Sequence, residues 1–362
     1  MDNGQATSGV RQHVDVNSLE RYIKQAGLPI DLPISLKQFK QGQSNPTYLI
    51  TDYSGKKYVL RKKPPGTLIS KKAHAIEREY NVLNKLKADG VVPVPKVFSL
   101  CEDTSVLDTP FYIMEFLSGR IFVNIRLLGL SMQERVNIWF SAIETLASLH
   151  KVNLKKAQLE SHGKAGDYYP RQLSVLLKIS EMQSRAANVE KLYRFDEIKK
   201  IFNENPIPDE VTLVHGDYKI DNLVFAQDSS KVLGILDWEL STIGHPLFDL
   251  SNLLQPFYTT GLPVTDNPAC LAFLPLENDP GLPENFVETL LQKYCELTGR
   301  PYPIPKWKTC VAFSFFRLSV IAQGVAARAA RGQASSQNAD GLLSFAALSK
   351  TMFKFLPRNP KI

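Results

Sequence analysis

The stretch "LVHGDYKIDNLVF", residues 213–225, sets three charged side chains between two apolar runs that read as strands. Asp217, Lys219 and Asp221 occupy the loop, with Asn222 behind them. Such a loop either turns the chain or holds chemistry, and Asp217 with Asn222 alone could serve as a turn cap and an Asx-turn. A second piece, "VLGILDWELS" at 232–241, again ends an apolar run on an aspartate, Asp237, twenty residues after Asp217. If the two runs pair as a β-hairpin, their ends lie side by side. Two carboxylates and the Asn222 carboxamide would then face one small volume. That oxygen-rich set suits Mg²⁺, which takes few protein ligands and fills its shell with phosphates and water.

The remaining composition is that of a globular chain. The 362 residues are 44% apolar and 22% charged, with a formal net charge of +7. The basic surplus favours an anionic ligand such as a nucleotide or a coenzyme. Lys and Arg are scattered, however, so nucleic acid is not expected as a partner. No apolar run approaches the ~20 residues of a bilayer span, and no membrane span is predicted. Cys101, Cys270, Cys295 and Cys310 show no C-x-x-C spacing, which suggests buried thiols in a reducing compartment rather than a metal site or disulfides. "MDNGQATSGVRQH" lacks an apolar leader core, so the expected setting is intracellular: cytoplasm, mitochondrion or peroxisome.

Read along its length, the chain changes character once. Residues 1–36 form a polar extension with a short helix in "NSLERYIKQAG", opened by Asn17 or Ser18 and closed by Gly27. Residues 37–118 are rich in strands: "ISLKQF", "TYLITD", a turn at Ser54-Gly55, "KYVLRKK", then "VVPVPKVFSL" and "PFYIMEFLSG". Tyr48, Ile50, Tyr58 and Leu60 alternate as half-buried strands should. One helix is inserted from Lys72 to Ala88, with Ile76, Tyr80, Leu83 and Leu86 on one face. Residues 119–362 read mainly as helices. Ser131 and Glu134 form a capping box opening a helix over 131–150, and further helix is expected at 171–201 and over much of 285–357. The fold class is α+β: a small β-rich lobe with one helix, a larger helical lobe, and a hinge near 114–120. A cleft between the lobes would hold the site.

The spacing His215, Asp217, Lys219, Asn222 follows H-x-D-x-K-x-x-N, the arrangement of the protein-kinase catalytic loop, with Asp237 of "DWE" where a metal-holding aspartate stands. Together, "HGDYKIDN", "ILDWE" and "GHPLFDL" resemble the aminoglycoside phosphotransferase and choline kinase superfamily. "QGQSNPTYLI", "YVLRKKPPG" and "LDWELSTIGHP" are similar to the kinase-like domain attached to some acyl-CoA dehydrogenases, over about residues 37–350. The resemblance implies a bilobal protein-kinase-like fold, ATP and Mg²⁺. Asp217 would be the catalytic carboxylate, Lys219 a phosphoryl contact, and Asn222 and Asp237 the metal ligands. Gly42, Ser44, Asn45 and Thr47 match the nucleotide loop, although G-x-G-x-x-G is missing. Arg61 replaces the strand lysine that meets the α- and β-phosphates, a change that is not neutral in geometry. Its helix partner should be a glutamate. Glu79 lies within the apolar stripe and needs a partner, whereas Glu77 is turned about 100° from Ile76. Met114 and Phe116 of "IMEF" match the adenine-binding hinge, and Gly244 and Asp249 a segment bracing the catalytic loop.

Plainer readings stand beside these. His215 serves as a structural brace, Lys219 could be a solvated surface lysine, and His150 packs at the core edge. "VAFSFFRLSV" is a buried helix, and the basic "LRKK" and "KAHAIERE" read equally as an anion groove or as solvated faces. The expected substrate is a small hydroxylated molecule. The subgroup resemblance suggests a hydroxyacyl-CoA, such as a 4-hydroxyacyl-CoA of fatty-acid catabolism, with a linked acyl-CoA dehydrogenase domain as partner. An aminoglycoside-like sugar, an amino alcohol or a homoserine-type compound is the alternative. A nucleotide-binding pseudokinase is the rival from another class.

Overall fold

The computed structural model describes residues 5, 7–8, 14–39, 45–64, 75–262, 268–331 and 344–356. Thr7–Ser8 (β1) leads to helix α1 (Val16–Gln25), then β2 (Ser35–Phe39), β3 (Thr47–Thr51) and β4 (Lys57–Lys62). Helix α2 (Ile76–Asp89) precedes β5 (Val97–Cys101), the single turn α3 (Thr104–Leu107) and β6 (Phe111–Glu115). The six strands form one antiparallel sheet in the order β1-β2-β3-β4-β6-β5.

The strand period of two sorts this sheet into two faces. Tyr48, Ile50, Tyr58, Leu60, Phe111 and Ile113 point to one side and are buried with Leu19 and Ile23 of α1. Val59, Tyr112 and Met114 point to the other, packed with Ile76, Leu83 and Leu86 of α2. β3 keeps the expected alternation, with Tyr48 and Ile50 buried and its other side chains part-exposed. β4 and β6 are instead buried on both faces, because α1 covers one side of them and α2 the other. Arg61 shares the α2 face by the same alternation and is itself buried. Helix α1 also begins earlier than the sequence suggests: its cap is Asp15, whose Oδ1 accepts from the Ser18 N–H at 3.0 Å.

The second lobe opens with α4 (Met132–His150), capped by the expected box: Glu134 N–H donates to Ser131 Oγ, and Ser131 N–H to Glu134 Oε2. The helix expected over 171–201 is two, α5 (Tyr168–Ala187) and α6 (Phe195–Glu204). Asn188 and Arg194 adopt left-handed backbone at φ 50° and 51° and break the run between them. Four short strands follow: β7 (Thr212–Val214), β8 (Leu223–Phe225), β9 (Val232–Ile235) and β10 (Thr242–Gly244). β8 pairs with β9 as a hairpin, and β10 returns to β7. The lobe is completed by α7 (Pro246–Leu253), α8 (Phe286–Thr298), α9 (Trp307–Ala330) and α10 (Phe345–Phe355).

Helix α9 corrects the expectation that no apolar run reaches membrane length. Its 24 residues are long and apolar enough to cross a bilayer, with mean hydropathy 1.6 over its best window. That window is 78% buried within the protein, against α5, α7 and α10, so α9 is the central beam of the helical lobe. All four cysteines are buried thiols.

Replacing Ser131 with Ala should remove the cap hydrogen bond and lower stability by about 1 kcal/mol. Urea denaturation reads this directly, and an unchanged midpoint would mean that the box contributes nothing.

Candidate active site

The loop of the opening motif is held from below by one carboxylate. Asp249 on α7 is fully buried, and its two oxygens accept from His215 N–H at 2.7 Å and Gly216 N–H at 2.9 Å. Two buried backbone donors are thereby satisfied at the start of the loop. Gly216 has φ +85°, and a Cβ there would lie 2.5 Å from the Leu240 carbonyl oxygen, so no larger residue fits. His215 is buried edge-on against Trp238. Its Nδ1 accepts from Asp217 N–H at 3.2 Å and its Nε2 donates to the Leu236 carbonyl at 2.8 Å. That ring fixes Asp217 to the end of β9 and has the bracing role expected of it.

Beyond the loop, the β8–β9 pairing places Asn222 beside Leu236, whose N–H donates to the Asn222 carbonyl at 2.8 Å. Asp237 follows at once, in left-handed backbone at φ 65°. The expected hairpin therefore forms and brings Asn222 Nδ2 within 3.4 Å of Asp217 Oδ2, but Asp217 opens on a different cavity from Asn222 and Asp237. A cavity of about 150 Å³ between the lobes is lined by Asn222 and Asp237 together with Arg61, Glu79, Met114 and Phe116. A second cavity, of about 220 Å³, lies in the helical lobe and is lined by Asp217 and Lys219. Asp221 borders both, so residues 217–222 are the wall between them. Across that wall Asn222 Nδ2 donates to the Asp217 carbonyl at 2.9 Å and approaches Asp217 Oδ2 at 3.4 Å.

Arg61 is the electrostatic centre of the first cavity. Its Nε donates to Glu79 Oε2 at 2.9 Å, the pair expected from the α2 stripe. Its Nη2 lies 2.6 Å from Asp237 Oδ1 and 3.4 Å from Glu239 Oε2, contacts that bridge the two lobes. Burial pushes the Glu79 carboxyl up to about 7; Arg61 pulls it down and Asp237 adds to the rise. Asn45 is buried and donates to Glu239 Oε2 at 3.3 Å. Thr47 pairs with Arg61 across β3 and β4 and lines the same cavity. Gly42 and Ser44 lie outside the described residues.

On the other side of the wall, Asp217 faces two cations. Lys219 Nζ is 3.5 Å from its Oδ2 and Arg317 Nη2 is 3.5 Å from its Oδ1. Burial opposes ionisation of Asp217, but Lys219, Arg317 and His215 outweigh it and hold the carboxyl down at about 2. Lys219 also meets Asp221 at 3.2 Å; burial works against its ammonium, yet Asp221 and Asp217 raise it above the ordinary lysine range. Apart from Asn252 and Gln255, the rest of this cavity is apolar, including Phe122, Ile125, Phe273, Leu318 and Ile321. Pro256, Ala272 and Phe273 come from the Pro-rich region, of which 263–267 lie outside the described residues.

A divalent cation fits the first cavity by donor chemistry. Asn222 uses its amide nitrogen on Asp217, while its Oδ1 makes no hydrogen bond among the described residues, and Asp237 has Oδ2 likewise uncommitted. Asp221 Oδ1, on the shared wall, is buried without a partner. Among the described residues no three His, Cys, Asp or Glu side chains gather into a metal cage. The arrangement suits a metal that brings most of its shell with it.

Three side chains here were given no role from sequence. Glu239 stood in the "DWE" motif and Asp221 in the opening loop. Arg317 was passed over inside "VAFSFFRLSV", although a lone cation in an apolar helix needs a partner and was its own signal.

This geometry belongs to a recognisable family. A family model described as the phosphotransferase enzyme family matches residues 35–302, and the chain belongs to that family. A crystallised Ralstonia eutropha protein, a candidate aminoglycoside phosphotransferase, is 33% identical and superposes with a TM-score of 0.76 over 95% of this chain and 98% of that one. ADP-bound aminoglycoside phosphotransferase APH(2'')-Ib shares the fold at TM-score 0.61 and 15% identity, over 95% of this chain and 100% of that one. The bilobal kinase-like fold is thus established. Human acyl-CoA dehydrogenase family member 11 is 38% identical over 90% of this chain, and mouse family member 10 is 41% identical over 89%. The chain spans only 40% and 29% of those two proteins' lengths.

Replacing Asp249 with Ala leaves the His215 and Gly216 N–H groups buried and unpaired, and should cost about 3 kcal/mol. Thermal unfolding monitored by circular dichroism would show a drop of several degrees; an unchanged midpoint would mean that the clamp is dispensable.

Proposed function

We propose that this chain transfers the γ-phosphoryl group of ATP, with Mg²⁺, to the hydroxyl of a small molecule, and that the acceptor is a hydroxyacyl-CoA. The observation that carries the reading is the loop at 217–222, where the two cavities adjoin: Asn222 and Asp237 line one, Asp217 the other. The Asn222 and Asp217 side chains are 3.4 Å apart, so the reading has nucleotide and acceptor meet at the rim of the loop. In this reading residues 37–118 are the nucleotide lobe and 119–362 the metal and acceptor lobe, with 1–36 an extension buttressing the sheet. Support for the nucleotide comes from family neighbours solved with ADP or AMP-PNP. Support for the acceptor comes from the acyl-CoA dehydrogenase names of the relatives and from the apolar walls beside Asp217. A coenzyme A thioester places the reaction inside the cell, with a dehydrogenase domain as a natural partner.

In the proposed mechanism the acceptor hydroxyl donates to the Asp217 carboxylate from the second cavity. Its oxygen forms the new bond to the γ-phosphorus while the bond from that phosphorus to the β,γ-bridging oxygen breaks, releasing ADP. The hydroxyl proton passes to Asp217. A carboxyl held at about 2 is a weak base, so it chiefly orients the nucleophile and takes the proton late, as a loose transition state permits. Lys219 offsets charge on the transferring group. Arg61, held by Glu79, meets the nucleotide phosphates, while Asn45, Thr47, Met114 and Phe116 border the nucleotide. Asn222 and Asp237 would hold Mg²⁺, which when bound neutralises phosphate charge.

In the second cavity Asp217 and Asp221 are balanced by Lys219 and Arg317, so among the described residues its lining lacks the acidic surplus that a polycationic aminoglycoside would call for. The 2.6 Å contact between Arg61 and Asp237 favours a second reading, in which the arginine occupies a metal ligand and the chain binds nucleotide without turnover.

A panel of hydroxyacyl-CoAs and free hydroxy metabolites, incubated with ATP and Mg²⁺ and analysed by mass spectrometry, should yield a phosphorylated acyl-CoA. Asp217→Ala should lower that product by at least about a hundredfold, the scale of a lost catalytic group, while a thermal shift with ATP persists. Full turnover in the variant would remove Asp217 from the mechanism. ATP binding with no product from the panel would favour the second reading.

A further inference from the structure

Arg317 stands alone as a charge among the apolar residues of α9 from Val311 to Val320. Its guanidinium lies over the Phe248 ring, 5.4 Å from the centroid. Nη1 donates to Asn252 Oδ1 at 2.9 Å, and Nη2 donates to the Gly216 carbonyl at 2.9 Å while lying 3.5 Å from Asp217 Oδ1. Asn252 in turn donates to the Tyr218 carbonyl at 3.0 Å. One side chain therefore grips three successive residues of the loop, two directly and one through α7. A planar fork can serve two oxygens and a carboxylate at once; a lysine ammonium in the same place cannot.

The two cations on Asp217 are not equivalent. Lys219 belongs to the loop, is shared with Asp221, and its side chain keeps 30% of its exposure. Arg317 reaches in from a buried helix, retains 14%, and is fixed by acceptors that take no part in transfer. We propose that Arg317 is a positioning residue for phosphoryl transfer: it holds the Asp217 carboxylate from the α9 side, so that Lys219 can turn to the transferring group without leaving Asp217 unpaired. This assignment rests on the proposed function. The polar groups facing Asp217 are His215, Lys219, Asp221 and Asn222 from its own loop, Asn252 from α7 and Arg317 from α9. Loss of Arg317 therefore lowers kcat in folded protein while nucleotide binding is kept, a split that a merely structural role would not produce.

The test compares wild type with Arg317→Lys and Arg317→Gln, each checked for folding by circular dichroism, and reads kcat and KM for ATP together with hydrogen exchange of the 216–218 amides. Arg317→Lys should lower kcat at least about tenfold with KM for ATP within about twofold and ATP-dependent thermal protection retained, and Arg317→Gln should lower it further. Exchange in the loop should rise in both variants. Should either variant fail to fold, Asn252→Ala loosens the same fork and should raise exchange and lower kcat in the same direction. Unchanged exchange in Arg317→Gln (or in Asn252→Ala where it stands in), or wild-type kcat in Arg317→Lys, overturns the assignment. A wild-type protein inactive on every acceptor would sink the proposed function instead, and loop exchange would still decide the place of Arg317.

Discussion

The guanidinium of Arg61 holds the cleft in shape. It sits on β4, is almost fully enclosed, and takes Glu79 from α2 on one edge and Asp237 and Glu239 from the far lobe on the other. A buried guanidinium stripped of its carboxylates would cost several kcal/mol, so strand, helix and hairpin end must arrive together or not at all. Three carboxylates around one cation also leave a local negative surplus. Burial and Asp237 push one of them, Glu79, toward protonation near neutral pH, while Arg61 opposes them. The surplus borders the inter-lobe cavity, where a divalent cation would be drawn.

The loop at 215–222 is organised by a different rule. Its backbone is answered largely from outside: Asp249 takes two N–H groups, Arg317 takes the Gly216 carbonyl and Asn252 that of Tyr218. The Asp217 N–H and carbonyl are met within the loop by His215 and Asn222. What is left uncommitted points outward to the two cavities. The loop acts as a partition whose stiffness comes from α7 and α9, and only its exposed atoms are available for chemistry.

Much of this was legible where the governing contacts are local or periodic. The Ser131–Glu134 box needs three residues of spacing, the β8–β9 hairpin needs two short apolar runs, and Glu79 could be told from Glu77 by the stripe it interrupts. The bridge from Arg61 to Asp237 spans 176 positions, and no local pattern encodes it. The same limit hid the cover that α1 gives one face of the sheet, which with α2 on the other makes β4 and β6 two-sided. The break between α5 and α6 rests on two left-handed residues, one of them an arginine, a type with no special taste for that conformation. Arg317 was visible as an oddity, but its target was not, because 100 residues separate it from Asp217. The division of the polar groups between two cavities could not be read from spacing either, since spacing fixes neighbours and not the direction in which side chains point.

Helix α9 carries one more implication. By length and composition alone it could cross a bilayer, yet it is mostly buried in the protein, and its cover includes α10, which lies later in the chain. On the ribosome, therefore, a greasy segment of spanning length emerges before part of its shelter has been translated. For that interval its apolar surface lacks full cover, the condition under which partly folded chains aggregate, and the guanidinium of Arg317 at its middle interrupts what would otherwise read as an anchor.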